Sequence, residues 1–208
     1  GMISSTAVTL TFSRRSREHP PLAAPLAIGV IGASTVLLVR VLVVTLALNS
    51  KLAPSLAPLL VPPFLVGAAW VTVSLLRTRA KAAGEKDEEE GRNPLRLASA
   101  IVMAIGFQVV LMLVAFTRQH FGDQGVLPTA ALLGFTDMDA LTLAMNRLGQ
   151  TTETLQLAAK ALAIGIISNT VLKFGIATVI GRGRYRLVAA LGLVSLAAGS
   201  MLGLWLFW

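Results

Sequence analysis

The sequence has no cysteine, only two histidines and a single tyrosine in 208 residues. Without cysteine, a disulfide scaffold and thiolate metal sites are excluded. His19 and His120 lie far apart in loops, so neither a histidine metal cluster nor a Ser–His pair has a signal. Charge is scarce too: Lys, Arg, Asp and Glu make up 13% of the chain, about half of what a soluble domain needs to keep its surface wet. No phosphate loop, dinucleotide fingerprint or nucleophile elbow occurs. The sequence therefore points away from an enzyme. The net charge of +8 comes from 18 cations against 10 anions. These cations sit in short clusters between apolar runs, the positive-inside pattern of membrane proteins rather than a nucleic-acid-binding stripe.

What the chain has in quantity is apolar length: 55% of residues are hydrophobic and the mean hydropathy is +0.75. A membrane-crossing helix needs about 20 mainly apolar residues, and five runs qualify: 22–48, 55–76, 95–116, 155–180 and 187–208. A weaker run over 125–147 contains Asp137 and Asp139. None alternates with period two, so barrel strands are excluded and the fold class is all-α, a polytopic transmembrane helical bundle. Residues 81–94 read as a charged cytoplasmic linker. The cations there, with Arg14, Arg15 and Arg17, set the cytoplasmic side. Whether 125–147 crosses or re-enters is not separated by loop charge, so the sidedness of Arg182, Arg184 and Arg186 stays open. The first residues do not show the signal-peptide order of basic region, apolar region and small-residue cleavage site, so targeting is expected to rest on the spans.

An internal repeat organises the rest. GMISSTAVTLTFSR at 1–14 and GFTDMDALTLAMNR at 134–147 coincide at five of fourteen positions, and LAIGVIGASTVL at 26–37 is followed in the second copy by LAIGIISNTVL at 162–172. The expected organisation is a first repeat over 1–80, the linker, and a second repeat over 95–208. A duplicated bundle with a polar, broken helix is an arrangement many secondary transporters use.

The polar residues of these blocks are the candidate site. In TAALLGFTDMDALTLAMNRL a break is expected at Gly134 to Thr136, with Thr136 capping the second half and Asp139 completing a capping box. A cap needs one acid, and an aspartate at mid-membrane costs about 2.5–3.5 kcal/mol, so the second acid points to use. Asp137 and Asp139 are the candidate metal or ion ligands, hard oxygens suited to Mg²⁺ or to a monovalent cation or proton. Thr142 shares a face with Asp139. Ser4, Ser5 and Thr6 are the neutral counterparts in the first repeat. Asn169 and Lys173, four apart on one helix face, would supply a neutral oxygen and a displaceable counter-charge for the aspartates. As a pair, Asp137 and Asp139 diverge by about 200° on a helix, which does not suit an acid-protease dyad. Gly199 and Gly203 form a GxxxG that could join two copies as a homodimer. Arg40 is expected to snorkel to an interface, and Trp205, Trp208 and Arg186 to anchor there.

Taken in order, GMISSTAVTLTFSRRS, RNPLRLASA, FGDQGVLPTAALLGFTDMDALTLAMNRL and ISNTVLKFG resemble the C-terminal membrane domain of unknown function attached to MgtC/SapB-type proteins. The likeness covers nearly the whole chain. It implies a multi-pass protein of the bacterial inner membrane, linked to magnesium or other cation homeostasis. In that family further helices precede the serine–threonine motif. The start at Gly1 is thus expected to be either a scar or a cut from a longer protein, with N-terminal helices missing. Two functions follow: cation- or proton-coupled transport with the lipid bilayer as its setting, or a non-transporting interaction module that packs with partner helices.

Overall fold

The computed structural model describes residues 4–79 and 122–207, together with Met112, Val114, Phe116, Thr117, Gln119 and His120. Among the described residues there are helices and no strands. They are α1 (Ser5–Glu18), α2 (Ala23–Leu48), α3 (Ala53–Arg79), α4 (Val126–Thr136), α5 (Met138–Leu148), α6 (Thr152–Ile180) and α7 (Gly183–Phe207), with single 3₁₀ turns at Pro20–Leu22 and Gly122–Gly125. The expected linker at 81–94, nearly all of the span at 95–116, and Gly1 and Trp208 lie outside the described residues. Four helical stretches are long and apolar enough to cross a membrane: Pro20–Leu48, Ala53–Leu76, Thr152–Ile180 and Gly183–Phe207. Their outward faces carry Val36, Val43, Leu46, Leu187, Leu191 and Trp205, all exposed, which is the surface hydrocarbon would cover.

The order short helix, long helix, long helix occurs twice, as α1–α2–α3 and α5–α6–α7. The two short helices leave the centre of the bundle toward opposite ends. At the far end of α1, Arg17 donates from Nε to the Ile180 carbonyl and from Nη2 to Val179 O at 3.3 Å, where α6 terminates. Ser13 Oγ meets the Tyr185 hydroxyl at 2.9 Å. At the far end of α5, Asn49 Nδ2 donates to Gly149 O at 2.6 Å and Asn146 O at 3.2 Å, where α2 terminates. Asn146 Nδ2 reaches Thr45 Oγ1 at 3.2 Å. Thus α1 runs with α6, α5 runs with α2, and the two units are inverted relative to one another.

Contacts along α6 fix the path of the broken helix. Along α6, Gly165 meets the Ala130 carbonyl and, one turn later, Asn169 donates to Gly134 O at 3.0 Å, so α4 runs in the direction of α6. Leu141 packs on Gly165 and Gly149 on Ala158, so α5 runs against it. The chain therefore enters, turns at Asp137 and returns. Eleven residues of α4 reach only about 16 Å at 1.5 Å per residue, half of a hydrocarbon core of about 30 Å. Glycine makes this packing possible: a Cβ on Gly134 would strike the backbone of Gly165.

The GxxxG of α7 faces inward, which corrects the expected homodimer. A Cβ on Gly199 would come within 3.0 Å of Pro63 Cα, and one on Gly203 would collide with the Leu59 carbonyl. Pro63 has no N–H to offer that carbonyl. Close approach of the α7 backbone covers it inside one chain, leaving no face there for a second copy.

Candidate functional site

At the turn of the broken helix, Asp137 is extended (φ −147°, ψ 104°) and caps α5: its Oδ1 accepts from Asp139 N at 2.8 Å and Ala140 N at 3.1 Å. This places the cap one residue later than expected. Thr136 does not cap, because it is still in α4 and its hydroxyl donates back to Leu133 O at 2.9 Å. The inverted partner of this turn is the start of α1. There Ser4 occupies the position equivalent to Asp137, and its side chain makes no capping bond. Both short helices thus begin at one place, and only one of the two beginnings is capped.

Between those beginnings lies a cavity of about 160 Å³ lined by Ser4, Ser5 and Thr6 of the α1 end, Thr136, Asp137 and Asp139 of the turn, Asn169 of α6, and Leu37 and Arg40 of α2. Seven of the residues singled out in the sequence meet here. Thr142 does not: it is buried and its hydroxyl returns to Met138 O at 2.7 Å. Ser5, although it lines the cavity, also gives its backbone carbonyl to the Thr9 hydroxyl at 2.9 Å.

The counter-charge of the site is Arg40, not Lys173. Arg40 Nη2 sits between both oxygens of Asp139, at 2.6 Å from Oδ1 and 2.8 Å from Oδ2. Lys173 is fully buried elsewhere in the bundle, and its Nζ donates to Ser34 Oγ at 3.3 Å. The reason is one of position along α6: Asn169 already occupies the level of the turn, and Lys173 lies one helical turn beyond it, next to α2. Arg40, expected at an interface, instead lines the cavity. Its signal was present, since an arginine within an otherwise apolar span needs a carboxylate and its planar fork suits one.

Among the described residues, two polar atoms of the lining lack partners. Asn169, 4% exposed, donates through Nδ2 to Gly134 O but leaves Oδ1 unsatisfied, and Arg40 Nε is buried without an acceptor. Among the described residues no group of three His, Asp or Glu side chains could enclose a metal. Asp137 and Asp139 are two carboxylates only, one engaged in a cap and one with arginine. A divalent ion held here would keep most of its water shell, as Mg²⁺ readily does.

Charge is distributed unevenly between the two ends of the bundle. Arg14, Arg15, Arg17, Arg182, Arg184 and Arg186 are exposed at the end where α1 and α6 terminate, while the opposite end presents Lys51 and Arg147.

These features define the class: an integral membrane protein, a polytopic helical bundle with a re-entrant broken helix and a polar cavity among apolar spans. Within that class the chain belongs to the family described as a domain of unknown function (DUF4010), whose family model matches residues 1–181. It is similar to a protein of Aquifex aeolicus (strain VF5) described as an uncharacterized protein, with 29% identity over 187 residues, covering 87% of this chain and 79% of that one. No solved structure matches.

Proposed function

We propose that this chain is a secondary transporter of a bacterial inner membrane, coupled to a cation or to protons, rather than an enzyme. The observation that carries the reading is the Arg40–Asp139 pair on the wall of a cavity between two half-helix starts. Arg40 lies about 12 Å of helix from the end of α2, at 1.5 Å per residue, so the pair sits at depth. Ionisable groups in such positions serve ion and proton pathways, and transporter sites recur at the meeting point of inverted repeats. The repeat expected over 1–80 contains α1, α2 and α3, and the one expected over 95–208 contains α5, α6 and α7.

In this mechanism Asp139 has two partners. With Arg40 in place the charge of Asp139 is balanced. A proton, or a cation accepted by Asp139 and the free oxygen of Asp137, releases the guanidinium and changes the balance of the two inverted units. Magnesium is the first divalent ion to test, given the likeness to the domain attached to MgtC/SapB-type proteins. The excess of arginine at the α1 end orients that end to the cytoplasm.

The competing reading is a non-transporting module packed with partner helices, and one observation favours it: Asp137 is a cap and Asp139 is paired, so both acids have structural work. Flux separates the two. The purified chain is reconstituted in vesicles with a small-metabolite extract outside, and H⁺, Na⁺ and Mg²⁺ movement is followed under imposed gradients. Coupled flux that disappears in a folded Asp139→Asn variant is the expected result. Folded wild-type protein that moves none of the three ions overturns the proposal.

A further inference from the structure

The two helix starts at the cavity are chemically unlike, and the difference selects a ligand. At α5 the half-charge of about +0.5 carried by a helix N-terminus is met by Asp137, whose Oδ1 takes two backbone N–H groups. At α1 the same half-charge has no side-chain cap, because Ser4 makes none. Ser5 and Thr6 add hydroxyls at that end of the cavity. Since Arg40 and Asp139 cancel one another, the lining has a positive pole at α1 and a negative pole at Asp137, and its sum is close to zero.

A bare cation satisfies Asp137 and leaves the start of α1 unmet, and a simple anion does the reverse. A molecule with both charges, held a few ångströms apart, satisfies both poles. The unpartnered oxygen of Asn169 is an independent sign of what belongs at the negative pole. Asn169 is more than nine-tenths buried, lines the cavity and has its Nδ2 already fixed on Gly134 O, so what it lacks is a hydrogen-bond donor. An ammonium has three donors to give and no acceptor. Arg40 Nε, also unpartnered, lacks an acceptor, which a carboxylate supplies. The volume agrees: about 160 Å³ is room for roughly five waters at about 30 Å³ each, and so for a solute of few heavy atoms.

We infer that this cavity binds a small zwitterion of the α-amino acid type, its carboxylate on the open first turn of α1 and its ammonium between Asp137 and Asn169. The inference deepens the transport reading and rests on it for access to the site.

The test is thermal unfolding and calorimetry on the full chain in detergent, with glycine and alanine as probes beside propionate, ethylamine, NaCl and MgCl₂. Alanine or glycine raises the unfolding midpoint in a concentration-dependent way, since a ligand of the folded state stabilises it, and propionate and ethylamine at equal concentration do not. Asp137→Asn keeps a capping oxygen but removes the charge, so it unfolds near the wild-type midpoint and binds alanine at least tenfold more weakly. Propionate acting as well as alanine, Na⁺ or Mg²⁺ acting alone, or no response to any probe each overturns the inference. A cation response with Asp139-dependent flux leaves the transport reading standing without the zwitterion. Alanine binding with no flux leaves the site and removes the transport.

Discussion

Replacing the two members of the Arg40–Asp139 pair singly and together tests the centre of the site. Unit charges about 4 Å apart interact by about 4 kcal/mol at an effective dielectric of 20. The Arg40 and Asp139 side chains are 29% and 41% exposed, so solvent in the cavity screens part of this. A wholly exposed pair contributes about 0.2–1 kcal/mol, and removing one partner of a buried pair costs about 3–5 kcal/mol. The expected coupling lies between them, about 1–2 kcal/mol. Asp139→Asn leaves a guanidinium among apolar helices, and Arg40→Gln leaves Asp139 near Asp137 with no cation, so each single change lowers stability by about 1–2 kcal/mol. The double variant loses no more than the worse single one, because neither charge is then left behind. Reversible denaturant titration in mixed micelles gives the four free energies. Additivity within about 0.3–0.5 kcal/mol is what independent sites show, and finding it here would refute the pairing and the displaceable counter-charge built on it.

Other expectations follow from the same contacts. Asp137→Ala removes the cap of α5 and lowers stability by about 0.5–2 kcal/mol, whereas Asp137→Asn does not; equal losses in an unfolding titration would count against the cap. Lys173→Met keeps length and apolar packing and removes a buried amine whose partner among the described residues is one hydroxyl, so stability is unchanged or raised and ion flux is retained. Loss of flux in that folded variant would return Lys173 to the site. Gly203→Ala pushes a methyl against the Leu59 carbonyl and costs about 1–3 kcal/mol, equally at all protein concentrations. A dilution-dependent effect would indicate an interface between copies. The chain lacks cysteine, so Lys51→Cys and Arg184→Cys report sidedness directly. A membrane-impermeant maleimide should label the first from outside the cell and the second only after the membrane is opened, and the reverse pattern would invert the orientation.

Much of the fold was legible because lipid leaves so few alternatives. An apolar run of 20 residues must be a helix whose backbone bonds are internal, and the spans at 22–48, 55–76, 155–180 and 187–208 correspond to α2, α3, α6 and α7. The duplicated motif marked Ser4, Ser5, Thr6, Asp137, Asp139 and Asn169, which the fold gathers around one cavity. What the sequence did not reveal depends on distances between helices. Arg40 and Asp139 are 99 positions apart, and nothing in either segment announces the other. Lys173 was the more obvious partner because it shares a helix face with Asn169, but it lies one turn too far along α6. The path of α4 and α5 was also hidden, since a single extended residue at Asp137 reverses the chain without a proline or a polar loop to mark it. Gly199 and Gly203 were read correctly as a close-packing stripe and given the wrong neighbour, because the carbonyl left open by Pro63 can be seen only once α3 and α7 are side by side.

The asymmetry at the cavity is where duplication and chemistry meet. Two copies of one unit bring two helix starts to one cavity, and each start has N–H groups with no intrahelical partner. Had both copies kept serine without a capping bond, both starts would be open and the cavity would favour an anion. Had both acquired aspartate, each start would be satisfied and the carboxylates would repel, with only Arg40 to offset them. The chain has one of each, Ser4 on α1 and Asp137 before α5. The start of α5 has its cap, while the start of α1 has no side-chain cap and the Asn169 oxygen on the same walls has no partner among the described residues. A buried unsatisfied oxygen such as that of Asn169 costs on the order of 1–3 kcal/mol, and a Ser4→Asp change would supply the second helix with the cap it does not have. The unmet donors and acceptors are therefore best understood together, as the two ends of one bound molecule.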